Sequence, residues 1–75
     1  MTVTELGKIL RDMYRSAPHG NQVAMIHLFG IKYADVILKN GFGVKEIVVA
    51  SGIRQSYTTE VSKGVKLSEY VITRE

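Results

Sequence analysis

The feature that most constrains this 75-residue chain is where its helix breakers fall. They stand at Ser16-Ala17-Pro18-His19-Gly20, at Asn40-Gly41-Phe42-Gly43, at Gly52 and at Gly64. Between them apolar residues recur mostly at three- and four-residue steps, the period of a helix with one buried side. No Gly, Asn or Pro follows Gly64, so the C-terminal stretch has no turn with which to fold a hairpin. A chain punctuated in this way is expected to be all-α, a single domain over residues 1–75 built as a compact bundle of four or five short helices. A short C-terminal strand is the one β element left open.

The segments read in order. Thr2 and Glu5 have capping-box spacing, and Val3, Leu6, Ile9, Leu10, Met13 and Tyr14 continue on one face, predicting a helix from 3 to about 16. Pro18 disfavours helical backbone at Ala17, and Asn21 is placed to cap the next segment. Val23 to Asn40 is apolar almost all round, with Gly30 near its middle; it predicts two short helices, about 21–29 and 31–40, bent near Gly30. Lys32, Asp35 and Lys39, at i, i+3 and i+7, give the second of these a narrow solvent stripe. After Gly41, suited to a left-handed helix end, Phe42 can fold back on the core.

Val44 to Gly64 says most about function. Val44 to Ser51 predicts a two-turn helix, Gly52 stops it, Ile53 points inward, and Arg54 to Lys63 predicts a second helix closed by Gly64. This stretch resembles the helix-turn-helix unit of bacterial DNA-binding proteins, over about 44–63. In that unit two helices cross steeply about a glycine turn, with apolar anchors on both. Ile47 and Val48 match the buried side of the first helix, and Thr58 and Val61 the inward anchors of the second. Val48 stands where the family usually has Ala, and Thr58 where it usually has Val or Ile. Loosely, the resemblance extends to the whole chain as a small helical domain of this class.

The resemblance implies that the second helix enters a major groove, so its outward side chains must reach base edges or phosphates. With Thr58 and Val61 inward, that set is Arg54, Gln55, Ser56, Thr59, Glu60 and Lys63, with Tyr57 at the margin. Arg54 suits guanine or a phosphate, Gln55 suits adenine, Ser56 and Thr59 suit phosphate or a thymine methyl, and Lys63 suits backbone charge. The Tyr57 ring is expected to pack on the core while its hydroxyl reaches a phosphate. Glu60 opposes the set unless it accepts from cytosine or pairs with Lys63 three residues on. Lys45, at the start of the first helix of the unit, is a further phosphate candidate, because helix N-termini and cations bind phosphate together. Lys8, Arg11 and Arg15 share a face of the N-terminal helix and form a second basic group. An ordinary solvated helix face would look similar, residue by residue.

Catalysis is not expected. A domain of this size buries only about 60% of the surface its unfolded chain exposes, leaving little for a protected reaction chamber. There is no Cys, hence no disulfide, thiolate metal site or cysteine nucleophile, and a reducing, cytoplasmic setting fits. His19 lies in a turn and His27 in an apolar segment, with no third ligand at metal spacing. No nucleotide-binding or hydrolase motif is present, and the carboxylates form no acid–base pair. No cofactor, metal or small-molecule substrate is implied. Val23 to Leu38 is interrupted by His27, Lys32 and Asp35, so no membrane span is expected, and the N-terminus lacks the pattern of a signal peptide.

The net charge of +3 is small, but Lys45, Arg54 and Lys63 bracket the segment with the DNA-reading pattern. The expected function is therefore non-catalytic binding of double-stranded DNA, as a small transcriptional regulator or DNA-associated accessory protein. The alternative is a protein-interaction module using the same fold without DNA. Tyr70 to Thr73 has strand propensity but no local partner. Three outcomes stay open: pairing with an extended stretch inside the chain, pairing with its copy in a homodimer, or an irregular tail with Leu67 and Tyr70 in the core.

Overall fold

Thr2 starts the first helix, as its spacing from Glu5 requires. In the structure, a computed structural model that describes residues 1–74, Glu5 N–H donates to Thr2 Oγ1 at 3.1 Å and Thr2 N–H donates to the Glu5 carboxylate at 2.9 Å. Helix α1 runs Val3–Ser16 and ends where Pro18 forbids another turn. Helix α2, Gln22–Asn40, follows; Asn21 occupies its N-cap position without a capping side-chain hydrogen bond. Gly41, at φ 64°, ends α2, and Phe42 N–H returns to the Ile37 carbonyl at 3.1 Å, which turns the Phe42 ring toward the core. Helix α3 is Val44–Ser51, ended by Gly52 at φ 78°. A 3₁₀ turn, Gln55–Tyr57, then leads into α4, Thr58–Leu67.

The core is built from all four helices. Leu6 and Leu10 of α1, Ile26, Phe29 and Ile37 of α2, Ile47 and Val48 of α3, and Val61 of α4 are buried together. The Lys32, Asp35 and Lys39 stripe of α2 is exposed, as its spacing predicts. Among the described residues no helix is long and apolar enough to cross a membrane.

Two of the expected helix ends are corrected at glycines. Helix α2 does not bend into two pieces at Gly30, and α4 does not close at Gly64 but continues to Leu67. Neither glycine has a positive φ. Each is instead a point where α2 and α4 touch backbone to backbone. A Cβ on Gly30 would lie 2.6 Å from the Val61 carbonyl oxygen and 2.8 Å from Gly64 Cα; one on Gly64 would collide with the His27 carbonyl oxygen. Gly7 does the same between α1 and α3, where a Cβ would lie 2.7 Å from Ala50 Cβ. A helix-interior glycine costs about 1 kcal/mol against alanine. Here the missing side chain permits close contact between helices.

The chain beyond α4 is a turn followed by irregular chain over residues 71–74, and the described residues contain no strand. Pairing inside the chain is thus not found. Leu67 and Tyr70 are not in the core either, being 40% and 81% exposed, and Ile72 is 92% exposed. The physical reason is the one visible in the sequence: a short segment with no turn has no strand to pair with. Val71 to Thr73 instead border a shallow depression shared with Ile31 and Asp35 of α2.

Candidate nucleic-acid interface

The turn between α3 and α4 is fixed by one buried hydroxyl. Ser51 Oγ donates to the Val48 carbonyl at 2.6 Å and accepts from Ile53 N–H at 3.2 Å, spanning the glycine that reverses the chain. Ser51 is fully buried, and it was missed in the sequence because serine at a helix end is usually exposed. Arg54 is extended, at φ −58° and ψ 135°, so α4 proper does not begin there. Residues 55–57 make a 3₁₀ turn, and Thr58 Oγ1 donates back to the Gln55 carbonyl at 2.7 Å. The predicted helix from Arg54 to Lys63 is therefore a turn followed by a helix. Thr58 is partly buried and engaged in this local bond, leaving Val61 and Gly64 as the buried anchors of α4.

Arg54, Gln55, Ser56, Thr59 and Lys63 are all exposed. The first three lie on the turn at the N-terminal end of α4, and Thr59 and Lys63 share one side of the helix at i and i+4. Lys45 is exposed in the first turn of α3, a different element from the rest. Tyr57 is partly buried and packs against the core, and its hydroxyl lies 3.4 Å from that of Tyr14 on α1.

Glu60, the one acidic member of the set, is held back from the open side. Its Oε1 lies 2.7 Å from His27 Nε2 of α2, and its Oε2 lies 3.6 Å from Lys63 Nζ. The His27 hydrogen bond, aided by the charges of Lys63 and His27, holds the Glu60 carboxyl below its usual range despite an opposing effect of desolvation. His27 is thus not merely a packed side chain but links α2 to α4. Nothing in the sequence flags this pair, whose members are 33 residues apart. Among the described residues no three His, Cys, Asp or Glu side chains gather as a metal site.

A short helix, a left-handed glycine turn and a second helix packed by one side only define a helix-turn-helix-like domain. A family model described as HTH-like domain matches residues 2–74, nearly the whole sequence, and the chain belongs to that family. Comparison with curated proteins and with solved structures gave no match.

Proposed function

We propose that this domain binds double-stranded DNA without catalysis, by laying the outward side of the turn and α4 into the major groove. One observation carries the reading. Arg54, Gln55, Ser56, Thr59 and Lys63 stand exposed together, while the only carboxylate among them, Glu60, is bound to His27 and Lys63. That leaves donors facing outward and moves the negative charge aside, which is what a polyanionic groove requires. In this reading Gln55 meets a base edge, Ser56, Tyr57 and Thr59 meet the backbone or a thymine methyl, and Arg54, Lys63 and Lys45 neutralise phosphates. A small regulatory or accessory role on DNA, in the cytoplasm, follows from such binding, and a homodimer would add a second half-site.

The test is titration of labelled duplex DNA at low and moderate salt. The parent protein binds at low salt and weakens steeply as salt rises, because each neutralised phosphate adds about −0.9 to the slope of log K against log salt. Arg54→Ala with Lys63→Ala weakens binding and flattens that slope by about two. Absence of parent binding even at low salt sinks the reading.

A second reading, a protein-docking module, is favoured by the exposed apolar groups Leu67, Tyr70 and Ile72 at the C-terminal end. Docking through that end would be insensitive to salt and to the Arg54 and Lys63 substitutions.

A further inference from the structure

The contact between α1 and the turn before α4 holds a pair of hydroxyls, of which the reading above uses only that of Tyr57. Gly7 packs on Ala50 and Ser51, and Tyr14 packs on Tyr57 with ring centroids 5.4 Å apart and planes tilted by 52°. These two contacts fix which side of α1 faces the turn. Arg11 lies on that same side, four residues after Gly7 and three before Tyr14.

The hydroxyls of Tyr14 and Tyr57 are 3.4 Å apart, long for an O–H···O bond. Each phenol carries one proton and two acceptor lone pairs, and a bond between the two uses only one of the protons. The other proton has to point elsewhere. Among the described residues neither hydroxyl has another hydrogen-bond partner. Tyr14 keeps its proton at neutral pH: the bond to Tyr57, then burial and the neighbouring phenol, push its pKa above the ordinary value, against the pull of Arg54. Arg54 is the residue that opens the 3₁₀ turn carrying Tyr57, with Tyr57 N–H donating to the Arg54 carbonyl at 3.0 Å. Two phenols with a spare proton, on a turn that also carries an exposed arginine, suit an oxyanion. The nearest acid on α1, Asp12, is two residues from Tyr14 and lies off this face.

We propose that the Tyr14–Tyr57 hydroxyl pair, with Arg54, binds one backbone phosphate of the DNA duplex and so extends the contact face from α4 onto α1. Tyr14, which the sequence pattern marks only as part of the apolar face of α1, becomes a binding residue, and the basic side of α1 that carries Arg11 comes to lie beside the phosphate backbone. This inference rests on the DNA-binding reading.

The experiment compares parent, Tyr14→Phe, Tyr57→Phe, the double Phe variant and Arg54→Ala by titration of labelled duplex at two salt concentrations, with a thermal melt of each protein. Phenylalanine keeps both rings and removes only the hydroxyls. Each single Phe variant weakens duplex binding roughly five- to tenfold, the scale of an ordinary net hydrogen bond at a partly exposed site. The double variant loses little more than the worse single, because the pair acts as a unit. The salt slope is unchanged in the Phe variants, since no charge is removed, but falls by about one in Arg54→Ala. Phe variants that bind like the parent while Arg54→Ala binds less well overturn the pair and leave α4 as the reading element. A loss of affinity matched by a large drop in melting temperature also overturns it, marking the pair as packing alone. A parent protein that binds no duplex overturns both proposals together.

Discussion

The two sides of α4 are built on opposite rules. On its inner side every position is fixed: Val61 is fully buried, and Gly64 meets Gly30 and the His27 carbonyl so closely that a methyl group has no room. On its outer side Thr59 and Lys63 are exposed, and the ion pair of Lys63 with Glu60 is of the exposed kind that adds little stability. The difference teaches that the orientation of α4 is set by α2 across a glycine contact, whereas the chemistry of its outer side is free of folding duties. The sequence motif pairs α4 with α3, but the tight backbone crossing is with α2.

This comparison can be broken from the inside out. Phe29→Ala, which empties the centre of the core beside Gly30, is expected to cost about 3–5 kcal/mol, measured by chemical denaturation. Gly64→Ala is expected to destabilise by about 1–3 kcal/mol even though alanine favours helix by about 1 kcal/mol, because the added methyl meets backbone that cannot swing aside. An unchanged or raised melting temperature in Gly64→Ala would show that the α2–α4 contact is looser than the glycine geometry demands. On the outer side, Arg54→Ala with Lys63→Ala should change stability by no more than about 0.5 kcal/mol while weakening duplex binding. A stability loss comparable to that of Gly64→Ala would erase the distinction between the two sides.

The smallest expected effect sits at the border between them. Because the folded state lowers the Glu60 pKa, the pair with His27 stabilises the fold above the unfolded carboxyl value, about 4.3, and that contribution fades as pH falls through the folded value. Melting temperatures of the parent and Glu60→Gln should therefore differ near neutral pH and converge below about pH 4. A difference that stays constant down to pH 3 would mean that the carboxylate charge plays no part.

Much of the fold is legible locally. The capping box of Thr2 and Glu5, the stop at Pro18 and the left-handed ends at Gly41 and Gly52 each follow from a few adjacent residues, and they place the boundaries of α1, α3 and the C-terminus of α2. The exposed set of Arg54, Gln55, Ser56, Thr59 and Lys63 also follows, once Val61 is taken as inward. What misled was glycine itself. Gly30 and Gly64 read as breaks because one sequence cannot distinguish a glycine needed for its backbone freedom from one needed for its absent side chain. The extended backbone at Arg54, which delays α4 to Thr58, was hidden for a related reason: the residues of a 3₁₀ turn have the composition of a first helical turn.

The amino-acid sequence by itself determined that this protein is built of helices, where α1, α2 and α3 end and which side of α1 is apolar, since these depend on neighbours within about four residues. Only the tertiary structure decided which helices touch through their glycines, that His27 takes the Glu60 carboxylate, and that Tyr14 meets Tyr57 across 43 residues of chain. Those contacts depend on how the helices cross, and the crossing is set by the packing of the whole core rather than by any local pattern.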